Sequence, residues 1–106
     1  MDIRALLRRL CAIAVKENLE CPTVTKVYIY KSSTRIRGGW VKILEGVYIE
    51  PVTESLAVKD ATPDMLIFRL TAGYMALAYY KTYGRLDAKR AESLARRYYF
   101  KLLVGG

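Results

Sequence analysis

The segment from residue 63 to residue 83 constrains the fold more than any other part of the chain. Its apolar residues lie on nearly every side of a helix: Leu66, Ile67, Leu70, Ala72, Gly73, Tyr74, Leu77 and Ala78. Thr62 and Pro63 are a favourable N-cap and first helical residue, and Gly84 is a favourable C-terminal stop. A helix that is apolar all round must be surrounded by other elements. We therefore predict a long, buried central helix.

Two amphipathic helices are predicted, one near each end of the chain. Residues 2–17 carry apolar residues at helical spacing: Ile3, Leu6, Leu7, Leu10, Ile13 and Ala14. Asp87 is a favourable cap for a third helix that runs to about Leu103. The apolar stripe of this helix consists of Ala91, Leu94, Ala95, Tyr98 and Leu102. Each helix has one apolar side, so both are expected to pack on the central helix or on a sheet.

The residues between the first two helices predict β-structure. Residues 26–31 alternate in polarity, which is typical of a half-buried strand. Residues 40–44 and 47–50 flank Glu45 and Gly46, a short hairpin signal, and residues 51–62 are expected to be mostly loop. The sequence thus predicts an α+β fold: an N-terminal helix, a three-stranded mainly antiparallel sheet, the central helix and a C-terminal amphipathic helix. A chain of 106 residues is the size of one domain, here residues 1–106.

The chain contains no histidine, and this excludes several kinds of chemistry. Ser–His–Asp and Cys–His catalytic systems are excluded, as are zinc sites with histidine ligands. Two cysteines ten residues apart do not complete a structural zinc site. Gly38 and Gly39 do not follow a strand–helix pattern, so no phosphate-binding loop is predicted. We expect no catalytic residue, no metal and no cofactor.

The order of elements resembles that of the minigluzincins, small archaeal metallopeptidases of the zincin type. In the best register, residues 69–73 (Arg-Leu-Thr-Ala-Gly) align with their HExxH motif. Residues 83–87 (Tyr-Gly-Arg-Leu-Asp) match the segment that follows it. Glu92, in an ExxA context, aligns with the glutamate ligand. Arg69 and Gly73 replace the two histidines, Leu70 replaces the general base, and only Glu92 carries over.

The resemblance implies a zincin-like scaffold without zinc or peptidase activity, which would act by binding. It also implies that Arg69 and Glu92 point into the former metal site and form an ion pair there. An arginine in so apolar a helix needs a partner, because an unpaired buried charge is costly. The alternative is that Arg69 lies on the one wet edge of the helix and extends to water.

Positive charge is the main signal for a partner. The net charge is +8, with +5 in residues 1–40, −3 in residues 41–64 and +6 in residues 65–106. Such a balance favours anionic partners, and the alternative is an ordinary solvated surface. If the partner is nucleic acid, the candidate residues lie on the first and third helices: Arg4, Arg8, Arg9, Lys89, Arg90, Arg96, Arg97 and Lys101. A continuous stripe of charge would favour nucleic acid, and scattered charge an interaction scaffold.

Nine tyrosines allow two interpretations. Tyrosines among basic residues can stack on single-stranded nucleic acid, but more often they are core residues with a hydroxyl at the surface. Tyr74 and Tyr98 lie on core stripes and are expected in the core. The question stays open for Tyr28, Tyr30, Tyr79, Tyr83 and Tyr99.

The scarcity of amides is typical of proteins from hot environments, since glutamine is absent and Asn18 is the only asparagine. Free thiols are expected at Cys11 and Cys21, with a disulfide as the alternative. The most apolar run contains Arg69 and is shorter than a membrane span, so we expect a cytoplasmic protein. The first hypothesis is an inactive zincin-like binding module whose partner is a protein or nucleic acid. The others are a small basic nucleic-acid-binding protein and an archaeal viral structural or assembly protein.

Overall fold

Three helices and four strands make up the part of the chain that the computed structural model describes, residues 2–31 and 38–104. The helices are α1 (Ile3–Lys16), α2 (Pro63–Tyr83) and α3 (Ala88–Val104). The strands are β1 (Lys26–Tyr30), β2 (Val41–Leu44), β3 (Val47–Glu50) and β4 (Ser55–Lys59). The α+β class and the places of the three helices are confirmed.

The sheet differs from the prediction. It has four strands in the order β1-β4-β3-β2; β1 is parallel to β4 and the other pairs are antiparallel. The three predicted strands are present and two of the three pairs are antiparallel, but the count of three is wrong: β4 (Ser55–Lys59) lies within residues 51–62, which were expected to be mostly loop. The missed strand β4 lies inside the sheet, and its first four residues, Ser55 to Val58, are all buried. A strand covered on both faces lacks the polar–apolar alternation that reveals a half-exposed strand.

Helix α2 packs on one face of the sheet, here called the inner face. A β-carbon added at Gly73 would lie 2.9 Å from Leu56 Cδ2 and 3.2 Å from Val47 Cγ1, so helix and sheet are in close contact there. Side chains alternate along a strand, which places Val47, Ile49, Leu56 and Val58 on this inner face. The outer face carries Tyr28, Lys42, Tyr48 and Ala57, which the strand register aligns in one row.

The central position of α2 is confirmed. Its residues from Leu70 to Ala78 are buried, and Gly84 ends the helix in the left-handed conformation with φ 73°. Thr62 precedes Pro63 as predicted, but its side chain makes no capping hydrogen bond. Tyr74 is 2% exposed, and burial raises the pKa of its hydroxyl to about 12. In the described ranges, no helix combines the length and the apolarity that a membrane crossing requires.

The two cysteines form a disulfide, so the expectation of free thiols is wrong. Cys11 on α1 and Cys21 in the connection to β1 have their Cα atoms 5.1 Å apart. After α1 the chain turns back through Asn18, which adopts a positive φ of 62°. This turn brings residue 21 beside residue 11. The disulfide thereby ties the end of α1 to the segment that leads into the sheet.

Replacing both cysteines by alanine is expected to lower the free energy of unfolding by about 2–3 kcal/mol. The bond closes a loop with a sequence separation of 10, and a loop of about that length loses this much chain entropy when it is cross-linked in the unfolded state. Chemical denaturation with and without a phosphine reductant measures the effect. The reductant should destabilise the natural chain and leave the double variant unchanged. Two reactive thiols in denatured, unreduced protein would contradict the assignment.

Candidate nucleic-acid interface

Helices α1 and α3 are joined by side chains and run in opposite directions. The guanidinium of Arg9, in the middle of α1, donates to the carbonyl oxygens of Leu102 and Lys101, both at 3.2 Å. Glu17, at the C-terminal end of α1, accepts hydrogen bonds from Arg90 in the first turn of α3 and from Arg97 and Tyr98 in its middle. Arg9 contacts the last turn of α3, where a positive charge is favourable because the helix carbonyls there are unpaired. The two predicted basic helices therefore form one surface.

Glu17 joins the two helices through three side chains of α3. Its carboxylate accepts a short hydrogen bond from the Tyr98 hydroxyl and forms ion pairs with Arg90 at 3.2 Å and Arg97 at 3.4 Å. The side chain of Glu17 is only 12% exposed. The hydrogen bond from Tyr98, together with the charges of Arg97 and Arg90, outweighs burial and holds the pKa of Glu17 below its ordinary value. Glu17 is thus ionised and already satisfied by its neighbours.

A groove of about 340 Å³ lies between the two helices. Its floor is apolar and includes the Tyr98 ring, which is 5% exposed, as expected of a core tyrosine. The ammonium groups of Lys16 and Lys101 each lie 5.9 Å from the centre of this ring. Arg9 is the third cation that lines the groove, and no acidic side chain lines it. Such a groove favours an anionic ligand.

Positive charge is also present on the solvent side of α1. Arg4 and Arg8 are exposed there, one helical turn apart and about 100–140° round the helix from Arg9. We use the name basic helical face for the cations that α1 and α3 present together: Arg4, Arg8, Arg9, Lys16, Arg90, Arg97 and Lys101. Within residues 2–31 and 38–104, Glu17 is the only acidic residue that forms an ion pair with a member of this face.

Two of the predicted nucleic-acid-binding residues do not belong to this face. Lys89 and Arg96 each precede Arg90 and Arg97 by one residue on α3 and so lie about 100° round the helix from them. That side of α3 faces Phe68 of α2 and not α1. Arg96 pairs with Glu92 on its own helix at 2.8 Å, and its guanidinium lies 5.8 Å from the centre of the Phe68 ring of α2. The prediction had grouped all α3 cations because it did not specify which side of α3 meets α1.

The predicted ion pair between Arg69 and Glu92 is wrong. Arg69 donates from Nη1 to the main-chain carbonyl of Lys59 at 2.8 Å, and its guanidinium lies against Gly46 in the β2–β3 turn. Glu92 instead accepts from Arg96. Arg69 is half-buried, and it satisfies its charge at the end of the sheet rather than between the helices.

Leu70 and Gly73, which align with the HExxH motif of the minigluzincins, contribute to the packing of α2 on the sheet. Leu70 is fully buried. Gly73 faces the sheet so closely that its neighbours leave no room for a histidine ring without rearrangement. Among the described residues, no group of three or more histidine, cysteine, aspartate or glutamate side chains is placed to hold a metal ion.

Lys16 and Glu17 are the residues that sequence reasoning missed. Lys16 lies in the last turn of α1 beside the predicted arginines, and the same helical spacing that placed Arg9 on one side places Lys16 there as well. Glu17 gave no signal, because the sequence does not show which helix its carboxylate meets.

Comparison of the chain with models of protein families, with curated proteins and with solved structures finds no match.

Proposed function

We propose that this protein binds nucleic acid through the phosphate backbone, using the basic helical face. The observation that carries the proposal is the contact of α1 with α3, which places Arg9 and Lys16 beside Arg90, Arg97 and Lys101, with Arg4 and Arg8 on the adjoining solvent side of α1. Among the described residues, the one acidic side chain that pairs with them, Glu17, is largely buried and already engaged. The surface therefore presents an excess of positive charge to an incoming polyanion.

The cations of this face divide into two groups by what they already contact. Arg9 holds the end of α3, and Arg90 and Arg97 pair with Glu17, so these three also have structural partners. Arg8, Lys16 and Lys101 have no ion-pair partner in the described part of the chain, and all three are exposed. We infer that these three, together with Arg4, supply most of the phosphate contacts.

Binding is expected to depend on the backbone rather than on base sequence. Lysine and arginine contacts to phosphate fix a protein on nucleic acid without reading its sequence. Helices α1 and α3 contain no asparagine and no glutamine, so they lack the amide side chains that read adenine. The face thus suits a protein that binds many sequences with similar affinity.

The affinity for double-stranded DNA is expected to fall steeply with salt. Each phosphate contact releases counterions, so log affinity should decrease by about 0.9 per contact for each decade of salt. Between three and seven contacts correspond to a slope of about −3 to −6. Fluorescence anisotropy of a labelled duplex, titrated at several NaCl concentrations, measures the slope. Absence of binding at low salt, or an affinity that does not change with salt, would contradict the proposal.

The inactive zincin-like module stays a prediction of the sequence. The order helix, strands, helix, helix on which the resemblance rests is present in the structure, with one more strand than predicted. The ion pair that the resemblance implied is absent. Because a fold does not determine a function, a scaffold of that ancestry is compatible with nucleic-acid binding.

A further inference from the structure

The outer face of the sheet is rich in aromatic residues. Tyr28 on β1 and Tyr48 on β3 flank Ala57 of β4 in one row, and Lys42 of β2 continues that row. Tyr30 lies two residues beyond Tyr28 on the same side of β1. Trp40, two residues before Lys42, packs on Tyr28 with ring centres 5.9 Å apart. A sheet face of this kind is normally covered by a helix or carries polar residues.

Within residues 2–31 and 38–104, α2 packs on the inner face, against Leu56 and Val47, and not on this one. Ala57, in the middle of the row, is nevertheless only 2% exposed, so the side chains that flank it cover β4 here. Tyr28 is 45% exposed at the edge of the sheet. The contacts between the rings are edge-to-face, with interplanar angles of 78° for Tyr28–Trp40 and 63° for Tyr30–Tyr48. In an edge-to-face pair, the ring that presents its edge keeps both of its faces out of the contact. Tyr28 is thus held in place and keeps exposed surface for stacking, while Tyr30, Trp40 and Tyr48 are half-buried and keep part of their surface.

Lysines accompany the aromatic rings on three of the four strands. Lys26, Lys42 and Lys59 lie on the outer face of β1, β2 and β4. Lys42 pairs with Glu45 at 2.8 Å. The acidic residue of the face, Glu50, accepts hydrogen bonds from the main-chain nitrogen and the hydroxyl of Thr53. The charge on this face therefore favours an anionic ligand, which distinguishes it from a surface for a neutral sugar.

The spacing of the rings suits an extended strand of nucleic acid. Tyr28 and Tyr30 are two residues apart on one strand, which is about 6.6 Å, and Tyr28 and Tyr48 are two strands apart, which is about 10 Å. Successive unpaired bases stack on aromatic side chains in proteins that bind single strands, while nearby cations contact the backbone. Bases inside a duplex are already stacked and cannot use such rings.

We propose that the outer sheet face is a second nucleic-acid site, one that binds an unpaired strand by stacking bases on Tyr28, Trp40 and Tyr48. The inference rests on the proposed function in taking nucleic acid as the ligand, but it uses a separate surface. The basic helical face binds phosphates of any nucleic acid, whereas the sheet face requires exposed bases. A chain with both sites would prefer molecules that contain single-stranded regions.

The test uses the intrinsic fluorescence of Trp40, the only tryptophan of the chain. Oligothymidylate of about 15 nucleotides, a length within the range of known single-strand sites, should quench this fluorescence. A duplex of the same length should bind without quenching it. Tyr28→Ala should weaken binding of the single strand by about 5- to 100-fold, the range expected for loss of one stacked base, while Tyr28→Phe should bind like the natural chain.

Two further variants keep the outcome clear. Tyr28→Leu retains an apolar side chain and should weaken binding as much as alanine does, which separates stacking from loss of folding. Tyr83→Ala removes a tyrosine that is 54% exposed at the end of α2 and should change nothing. Failure of the single strand to quench Trp40, or full affinity in Tyr28→Leu, would overturn this inference. If the duplex still binds in a salt-dependent way, the proposal for the basic helical face is supported. If the single strand quenches Trp40 but the duplex does not bind, the proposal for the basic helical face is rejected and the sheet site is retained.

Discussion

Replacing Glu17 by alanine is expected to lower the free energy of unfolding by about 2–3 kcal/mol. The carboxylate holds Tyr98, Arg90 and Arg97 of α3 to the end of α1. The charge-assisted hydrogen bond from the Tyr98 hydroxyl accounts for about 1.5–3 kcal/mol. The two ion pairs add at most about 1 kcal/mol, because Arg90 and Arg97 are 41% and 57% exposed and can turn to water. Urea denaturation at pH 7 measures the change.

Glu20 provides the matched control for Glu17. It is a glutamate three residues further on, and its side chain is exposed. Glu20→Ala should change the free energy of unfolding by less than about 0.5 kcal/mol, as expected for an exposed position. Equal effects of the two substitutions would show that Glu17 does not join the helices.

The contribution of Glu17 also has a defined pH dependence. The Tyr98 hydroxyl and the two arginines lower the pKa of Glu17 from its ordinary value of 4.5. A carboxyl group with a lowered pKa in the folded state stabilises the fold fully above its unfolded pKa. The stabilisation is lost as the pH falls below about 4.5 and through the lower pKa that Glu17 has in the folded state. Glu17→Gln should therefore be less stable than the natural chain at pH 7, and the difference should shrink on acidification.

The sequence was sufficient for the helices, because each one carries its own signals. The apolar surface of residues 66–78 predicted a surrounded helix, and Pro63 and Gly84 predicted its two ends. Asp87 was predicted as the cap of α3, and its carboxylate accepts from the Arg90 main-chain nitrogen at 2.9 Å. These features are local, so they can be read from a few consecutive residues.

The sequence was insufficient where structure depends on distant contacts. Strand β4 is short and buried on both sides, and its parallel partner β1 comes from a distant part of the chain, so its pattern does not stand out from a loop. Arg69 is satisfied by a main-chain carbonyl at the end of β4. A main-chain acceptor leaves no trace in the residue types. The prediction therefore assigned Arg69 a charged partner, Glu92, which pairs with Arg96 instead.

The candidate interface could be predicted only in part. The sequence shows the cations of α1 and α3, but it does not show that the two helices meet through Arg9 and Glu17. The same contact determines which side of α3 faces α1. It separates Arg90, Arg97 and Lys101, which join the face, from Lys89 and Arg96, which do not. A test of the interface can use this division directly.

Replacing Arg8, Lys16 and Lys101 together by alanine is expected to weaken duplex binding several hundredfold at about 0.1 M salt. By the counterion relation, each phosphate contact contributes about 0.9 log units at that salt concentration, which is about eightfold per contact. The salt slope should fall by about 3 for the same reason. All three side chains are exposed, and none has an ion-pair partner in the described ranges, so the fold should be retained. Anisotropy titrations at several salt concentrations measure both quantities.

The control is a triple variant with the same net charge, in which Arg85, Lys89 and Arg96 are replaced by alanine. Both variants lower the net charge of +8 by three, so a general electrostatic effect would weaken binding equally in the two. Arg85 follows the end of α2, and Arg96 lies over Phe68, away from the groove between α1 and α3. If the basic helical face holds the phosphates, the control should keep most of the affinity and of the salt slope. Equal losses would mean that net charge alone, and not this surface, attracts the nucleic acid.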